Sequence, residues 1–247
     1  MFNRTWMPER TRIVYDALKQ EPLMSGFILI GGTALSIQIG HRLSEDLDFW
    51  LPASSLSTPR INSILANLHT QGYHNQLVTP AWQISQAKIN GIDLLIQSRD
   101  HVIAGVKVTF FARLDVPYTH FATLPRSREN SMHFDIMSQD GIFRMKSWLI
   151  SQRTRSRDLY DLMVLTRDHG KSIEDILTAG LAADPSFSKE YAKDVLLGTI
   201  PLDAHDEGFA SIGLDLDIKD IHAFFHERIN HYEITLAQTI LTAHKTP

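Results

Sequence analysis

Apolar and polar positions change period several times along the chain, and each change predicts an element. Over residues 8–20, Ile13, Val14, Ala17 and Leu18 share one helical face behind Pro8, which predicts a leading amphipathic helix. Residues 27–30 are wholly apolar and predict a short strand, broken by Gly31-Gly32-Thr33. Leu35, Ile39 and Leu43 then resume at helical spacing, and residues 46–51 open with alternating acidic and apolar positions as a second strand. A strand, a glycine turn, a helix and a strand thus follow within one supersecondary unit. Beyond a loop over 52–59, Ile61, Ile64, Leu65 and Leu68 predict a helix ending at Gly72. Strands are expected over 82–87, over 92–97 after an Asn90-Gly91 turn, and over 105–112.

From Gly141 onward helical spacing dominates, with helices expected over 142–151, 158–166, 173–182, 188–196 and 218–242. The stretch 114–130, with Pro117, Pro125, Arg126, Ser127 and Arg128, reads as a linker. The expectation is an α+β chain with an α/β domain over 1–125 and a helical domain over 126–247 that completes an active-site cleft.

Composition narrows this picture. A chain of 247 residues with 43% apolar content can build a sizeable core. A formal net charge of −4 provides no global basic field, so nonspecific wrapping of nucleic acid is not expected. Zero cysteines exclude disulfides and thiolate metal sites, which suits a cytoplasmic protein. The N-terminus lacks the apolar run of a signal peptide, and no window reaches the ~18 apolar residues of a membrane span, so no membrane association is expected.

The candidate chemistry lies in the first glycine turn and the strand that follows it. Asp46 and Asp48 stand two apart in DLDFW, so on a strand their carboxylates leave one face. Phosphoryl transfer uses divalent cations, often paired ~3.5–4 Å apart, to clamp a triphosphate, and carboxylates are the hard oxygen ligands Mg²⁺ takes. A Gly-Gly-Thr turn ahead of a helix supplies close backbone approach and N–H groups suited to phosphate oxygens. An isolated DxD or Gly-Gly says little; the two in this order say much more.

The segment GGTALSIQIGHRLSEDLDFW resembles the first motif of the AbiEii/AbiGii toxin nucleotidyltransferases, which has a glycine turn, a helix and an Arg-x-Ser-x-Asp-x-Asp strand. The resemblance implies a polymerase-β-like nucleotidyltransferase core of mixed sheet and helices, with Mg²⁺ (or Mn²⁺) at Asp46 and Asp48 and NTP phosphates near Gly31, Gly32 and Thr33. Arg42 and Ser44 would support that site. A second stretch, GIFRMKSWLISQRTRSRDLYDLMVL, resembles the family's later motif of a helix-borne Lys followed by Arg-Asp-x-x-Asp-Leu, and carries over Lys146, Arg157, Asp158 and Asp161. Lys146 can meet triphosphate charge as a point donor, and Asp158 and Asp161 share a helix face; the same residues could instead lock two helices together.

A third carboxylate, as metal ligand or as base, is a common further part of such sites. In GVKVTFF its place would fall on Thr109, whose hydroxyl cannot do that work, so Asp93 in GIDLLIQ is expected to complete the metal set, with Asp158 or Asp161 as the alternative base. His222 and His226 have His-x-x-x-His spacing without the Glu of a zinc protease. Asp215 and Asp217 form a second DxD that leads into a helix and reads as a helix-start charge. His41 reads as structural. Arg144, Lys146, Arg153, Arg155 and Arg157, with Arg126 and Arg128, form the dense basic cluster, suited to an RNA acceptor unless neighbouring acids take it.

The expected activity is Mg-dependent transfer of a nucleotide from an NTP to an RNA acceptor, foremost a tRNA end, with growth arrest as the outcome. The family's type IV toxin–antitoxin setting implies an antitoxin encoded nearby that acts without stable contact. The alternatives are transfer to a protein or small-molecule hydroxyl, and a catalytically weakened NTP-binding homologue.

Overall fold

The computed structural model describes residues 2–243 and divides into two compact units, with the boundary between Ile142 and Phe143. The first unit carries α1 (Glu9–Lys19), β1 (Ile28–Ile30), α2 (Gly31–Ile39), β2 (Leu47–Leu51), α3 (Thr58–Thr70), β3 (Asn75–Leu77), α4 (Ala81–Ile89), α5 (Leu94–Gln97), β4 (Ser98–Ile103), β5 (Val106–Ala112), α6 (Val116–Phe121), β6 (Arg126–Ser127) and β7 (Asp135–Met137). Its strands form one mixed sheet in the order β3-β4-β5-β2-β1-β7-β6. β2 runs antiparallel to β1 and parallel to β5, while β7 lies parallel to β1.

One face of this sheet is an aromatic core. Phe49 of β2 stacks on Phe110 of β5 at 5.9 Å and meets Phe134 edge-on at 4.8 Å, and Tyr15 of α1 packs against Phe134 at 5.4 Å. Each such buried ring contributes about 1.5–3 kcal/mol over exposure to water. Ile61, Ile64, Leu65 and Leu68 of α3 are buried on the predicted helical face. On the opposite face Trp50 and Phe111 pack against Tyr118 of α6.

Helix α7 (Gln139–Leu149) spans the unit boundary, and the second unit continues with α8 (Ser156–Asp168), α9 (Ile173–Ala183), α10 (Lys189–Leu197) and α11 (Ile218–Ala243). α8 is its central helix, buried at Ser156 and at every position from Asp158 to Thr166. α11 packs on α8, α9 and α10 through Ile221, Phe225 and Ile229, which repeat every four residues on one stripe. The mainly helical second half matches the sequence expectation.

Several local expectations are corrected. Residues 82–87 lie in a helix, α4, because Asn90-Gly91 closes a helix rather than a hairpin. Gly91 takes φ 73°, its N–H donates to the Lys88 carbonyl, and the Ile92 N–H donates to Ala87 at 2.9 Å, a Schellman ending. Residues 94–97 likewise form α5, and the strand expected over 92–97 begins at Ser98 as β4. β4 and β5 join through Ala104-Gly105, both at positive φ, which is the two-residue hairpin geometry that matches strand twist. α2 stops at Ile39 because Gly40 is left-handed at φ 66°, leaving Leu43 outside the helix and exposed. The supposed linker over 114–130 holds α6 and β6, and β6 and β7 belong to the first sheet, so the division falls later than residue 125.

Candidate active site

The site begins where β1 ends. Ile30 pairs with Asp48 across β1 and β2, so the turn at Gly31 lies beside the Asp48 side chain. Gly31 has φ 76°, and a Cβ there would stand 2.8 Å from Asp48 Oδ2; the position requires glycine for both backbone and space. A Cβ on Gly32 would meet the Arg42 guanidinium at 2.5 Å and Ser44 Oγ at 3.0 Å. Arg42 and Ser44, 4% and 6% exposed, therefore form the buried floor beneath the first turn of α2. Gly31→Ala is expected to cost about 1–2 kcal/mol from the left-handed backbone and to lower transfer ~10–100-fold by displacing the carboxylate. Thermal unfolding and a transfer assay measure the two effects separately.

Thr33 ties this turn to the acidic strand. Its Oγ1 lies 2.5 Å from the Asp46 carbonyl and 2.8 Å from Ser44 Oγ. A carbonyl only accepts and a hydroxyl has one proton, so Thr33 donates to Asp46 and Ser44 donates to Thr33. Asp46 immediately precedes β2, with its backbone held by this bond. Gly31, Gly32, Thr33, Arg42, Ser44, Asp46 and Asp48 are thus brought together as the first motif suggested.

Asp48 faces outward on the sheet, half-buried between the buried Leu47 and Phe49. Its partner on β5 is Thr109, and the partner of Thr109 on β4 is Asp100. Thr109 Oγ1 donates to Asp100 Oδ1 at 2.8 Å. Lys107, two residues before Thr109 on β5, leaves the same face and is exposed. Neither Asp100 nor Lys107 was singled out from the sequence, because each joins the site only through strand register.

Asp93 does not join this row. It caps α5, its Oδ1 accepting from the Leu95 N–H at 3.1 Å, and it is exposed. Among the described residues no group of three or more His, Asp or Glu side chains stands close enough to share an ion, so Asp46, Asp48 and Asp93 do not converge as a three-carboxylate set. A pair of carboxylates still fits Mg²⁺, which keeps most of its ligands as water and substrate phosphate. Asp46 and Asp48, beside the glycine turn, are the residues that would hold it. When bound it would neutralise charge on a triphosphate.

In the second unit, Lys146 of α7 is 4% exposed, and its Nζ bonds Asp158 Oδ1 at 2.5 Å and Asp161 Oδ2 at 2.8 Å. The i,i+3 spacing of the two acids on α8 delivers both to one ammonium. Arg153 donates to the other Asp158 oxygen at 2.9 Å. Burial alone would raise the Asp158 pKa, but the charges of Lys146 and Arg153 outweigh it and bring the value down to about 2. Arg157 anchors the loop before α11, with Nε on the Gly208 carbonyl at 3.0 Å and an ion pair to Glu207 at 2.6 Å.

The basic cluster is largely matched by acids: Lys146 and Arg153 by Asp158, Arg155 by Asp203 and Arg157 by Glu207. Arg128 pairs with Asp135. His222 Nδ1 bonds the Leu196 carbonyl and His226 contacts Asn230, which are structural roles. Asp217 caps the start of α11 through the Lys219 N–H.

A mixed sheet with a glycine turn at the head of α2 and paired acids at the start of β2 defines the nucleotidyltransferase class. The sequence model described as nucleotidyl transferase AbiEii toxin, type IV TA system, matches residues 12–226, and the chain belongs to that family. An uncharacterised protein of Aquifex aeolicus strain VF5 is 30% identical over 161 residues, covering 62% of this chain and 64% of that protein's length. This chain therefore spans a little under two thirds of that relative. Two solved structures share the fold. One, a protein of H. pylori assigned as a nucleotidyltransferase, has a TM-score of 0.50 at 14% identity, covering 94% of this chain and 98% of its own. The other, MenT4, a nucleotidyltransferase toxin from Mycobacterium tuberculosis H37Rv, has a TM-score of 0.50 at 12% identity, covering 87% and 82%. No helix among the described residues is long and apolar enough to cross a membrane.

Proposed function

We propose that the chain transfers a nucleotidyl group from an NTP to a hydroxyl at the end of an RNA, foremost a tRNA, with Mg²⁺ or Mn²⁺, and that this transfer arrests growth. The observation that carries the reading is Asp48 held against the Gly31 turn, which sets a cation-binding carboxylate beside N–H groups suited to phosphate. Asp46 and Asp48 bind the metal, Gly31, Gly32 and Thr33 receive phosphate oxygens, and Arg42 with Ser44 fixes the turn. Lys146, Arg157, Asp158 and Asp161 are assigned to the reaction through their motif, beyond the ion pairs they already form. In the type IV setting, the antitoxin acts without stable contact.

A polyanionic acceptor is supported by a cleft in the first unit. About 850 Å³ in volume, it is lined by Arg4, Arg12, Arg128 and Glu129 among others. Arg4 is matched by Asp16 and Glu129, and Arg128 by Asp135, whereas Arg12 makes no ion pair among the described residues. The segment bearing these side chains is tied to the loop entering Asp46: Thr11 Oγ1 donates to the Glu45 carbonyl at 2.8 Å, and the Ser44 N–H to the Trp6 carbonyl at 3.1 Å. Arg12→Glu is expected to raise the KM for RNA ~10-fold and to lower the salt dependence of RNA binding by about one phosphate contact, with the KM for NTP unchanged.

The test is incubation of the protein with each labelled NTP, Mg²⁺ and either total RNA or total protein. Label in RNA supports the reading, label in protein moves the acceptor to a protein hydroxyl, and no label from folded protein under any NTP removes transferase activity.

A further inference from the structure

Three strands set a polar row across one face of the sheet. Directly paired residues in adjacent strands point to the same face, so Asp48 of β2, Thr109 of β5 and Asp100 of β4 stand abreast. The row starts beside Gly31 and runs away from it. Strand spacing puts the Asp48 and Asp100 Cα atoms ~10 Å apart, a distance that two carboxyl side chains leaning inward reduce to the span of a bound phosphate.

The next row on this face, toward the end of β5, is Trp50, Phe111 and Ser98, walled by Tyr118. In the other direction Lys107 is exposed. A group approaching Asp48 from the side away from the phosphate turn is thus bounded by an apolar wall and meets Asp100 there. Asp100 is firmly seated: its N–H donates to Thr79 Oγ1 at 2.9 Å, its carbonyl accepts from the Val78 N–H at 2.8 Å, and its Oδ1 accepts from Thr109. Because Thr109 gives its one proton to Asp100, it turns acceptor lone pairs, not a donor, to its remaining neighbours. Asp100 is the carboxylate of the row that lies on the far side from the glycine turn.

Resting on the nucleotidyl-transfer reading, we infer that Asp100 is the general base for the acceptor hydroxyl. The hydroxyl oxygen attacks the α-phosphorus and its proton passes to the Asp100 carboxylate. The bond from the α-phosphorus to the bridging oxygen breaks, and pyrophosphate leaves with the electron pair. Asp100 then returns the proton to water. Thr109 is a positioning residue that fixes the rotamer of Asp100.

Steady-state kinetics of four variants test this. Asp100→Asn keeps the shape and the bond from Thr109; it is expected to lower kcat ~100-fold with the KM for NTP unchanged. Thr109→Val is expected to lose less than ~10-fold. The double variant Asp100→Ala with Thr109→Asp, which moves the acid one strand along the same row, is expected to recover at least ~10-fold over Asp100→Ala alone. A structural role for Asp100 would show no such recovery. Transfer by Asp100→Asn at the wild-type rate, or no recovery in a folded double variant, overturns the base assignment while wild-type activity and its loss in Asp48→Asn leave the transfer reading standing. No transfer by the wild type removes both.

Discussion

Asp48→Asn is expected to reduce nucleotidyl transfer at least ~10³-fold, a loss of about 4 kcal/mol of transition-state stabilisation. The substitution is isosteric and the residue half-buried, so the strand and the Gly31 turn it faces should hold their shape, with stability changed by less than about 1 kcal/mol. What the amide removes is negative charge, the property that lets a side chain bind a divalent cation beside a triphosphate. Asp93→Asn is the matched control: it replaces an exposed helix cap with another good one and should retain activity. Equal transfer by wild type and Asp48→Asn would remove the metal-site reading.

Lys146→Met is expected to destabilise the protein by roughly 3–5 kcal/mol, because it takes the shared ammonium away from two carboxylates that are almost wholly buried. Arg153 still reaches Asp158, whereas Asp161, with a side chain 0% exposed, loses a close cationic partner. The same cluster sets an acid limit for the wild type. Asp158 titrates near 2 in the folded chain and near 3.8 ordinarily, so its contribution to stability is complete above about pH 4 and is lost as pH falls toward 2. Without Lys146 the folded-state pKa rises and acid unfolding should move to higher pH. Circular dichroism against pH and temperature for both proteins measures this, and coincident curves would show that the ammonium contributes nothing to the fold.

The parts of the site that could be read from the chain are those built from near neighbours. Gly31 to Thr33 and Asp46 to Asp48 lie within one strand, turn, helix and strand unit, so their convergence follows from local geometry, as does the sharing of Lys146 by Asp158 and Asp161. Misreadings arose where two rules competed. Trp82 and Ile84 alternate as in a strand, but the run also contains Ala, Gln and Lys, and Gly91 ends it as helices end. Asn90-Gly91 was therefore a true turn signal attached to the wrong element, and it drew Asp93 onto a strand that starts only at Ser98. Asp100 was out of reach for a different reason. Its place depends on two registers, β2 with β5 and β5 with β4, and a shift of one residue in either would have turned it to the other face. The basic cluster misled because sequence shows cations together but not the acids, some fifty residues on, that fold back onto them.

The parallel pairing of β1 with β7 also bears on how the chain is made. β1 is synthesised early, yet its outer edge stays uncovered until Asp135 to Met137 arrive, long after Asp46 and Asp48. A ribosome that stops before that point releases a chain with an open apolar edge, the kind that aggregates rather than folds. A truncated message should therefore yield insoluble chain rather than a folded first unit that lacks its last strands.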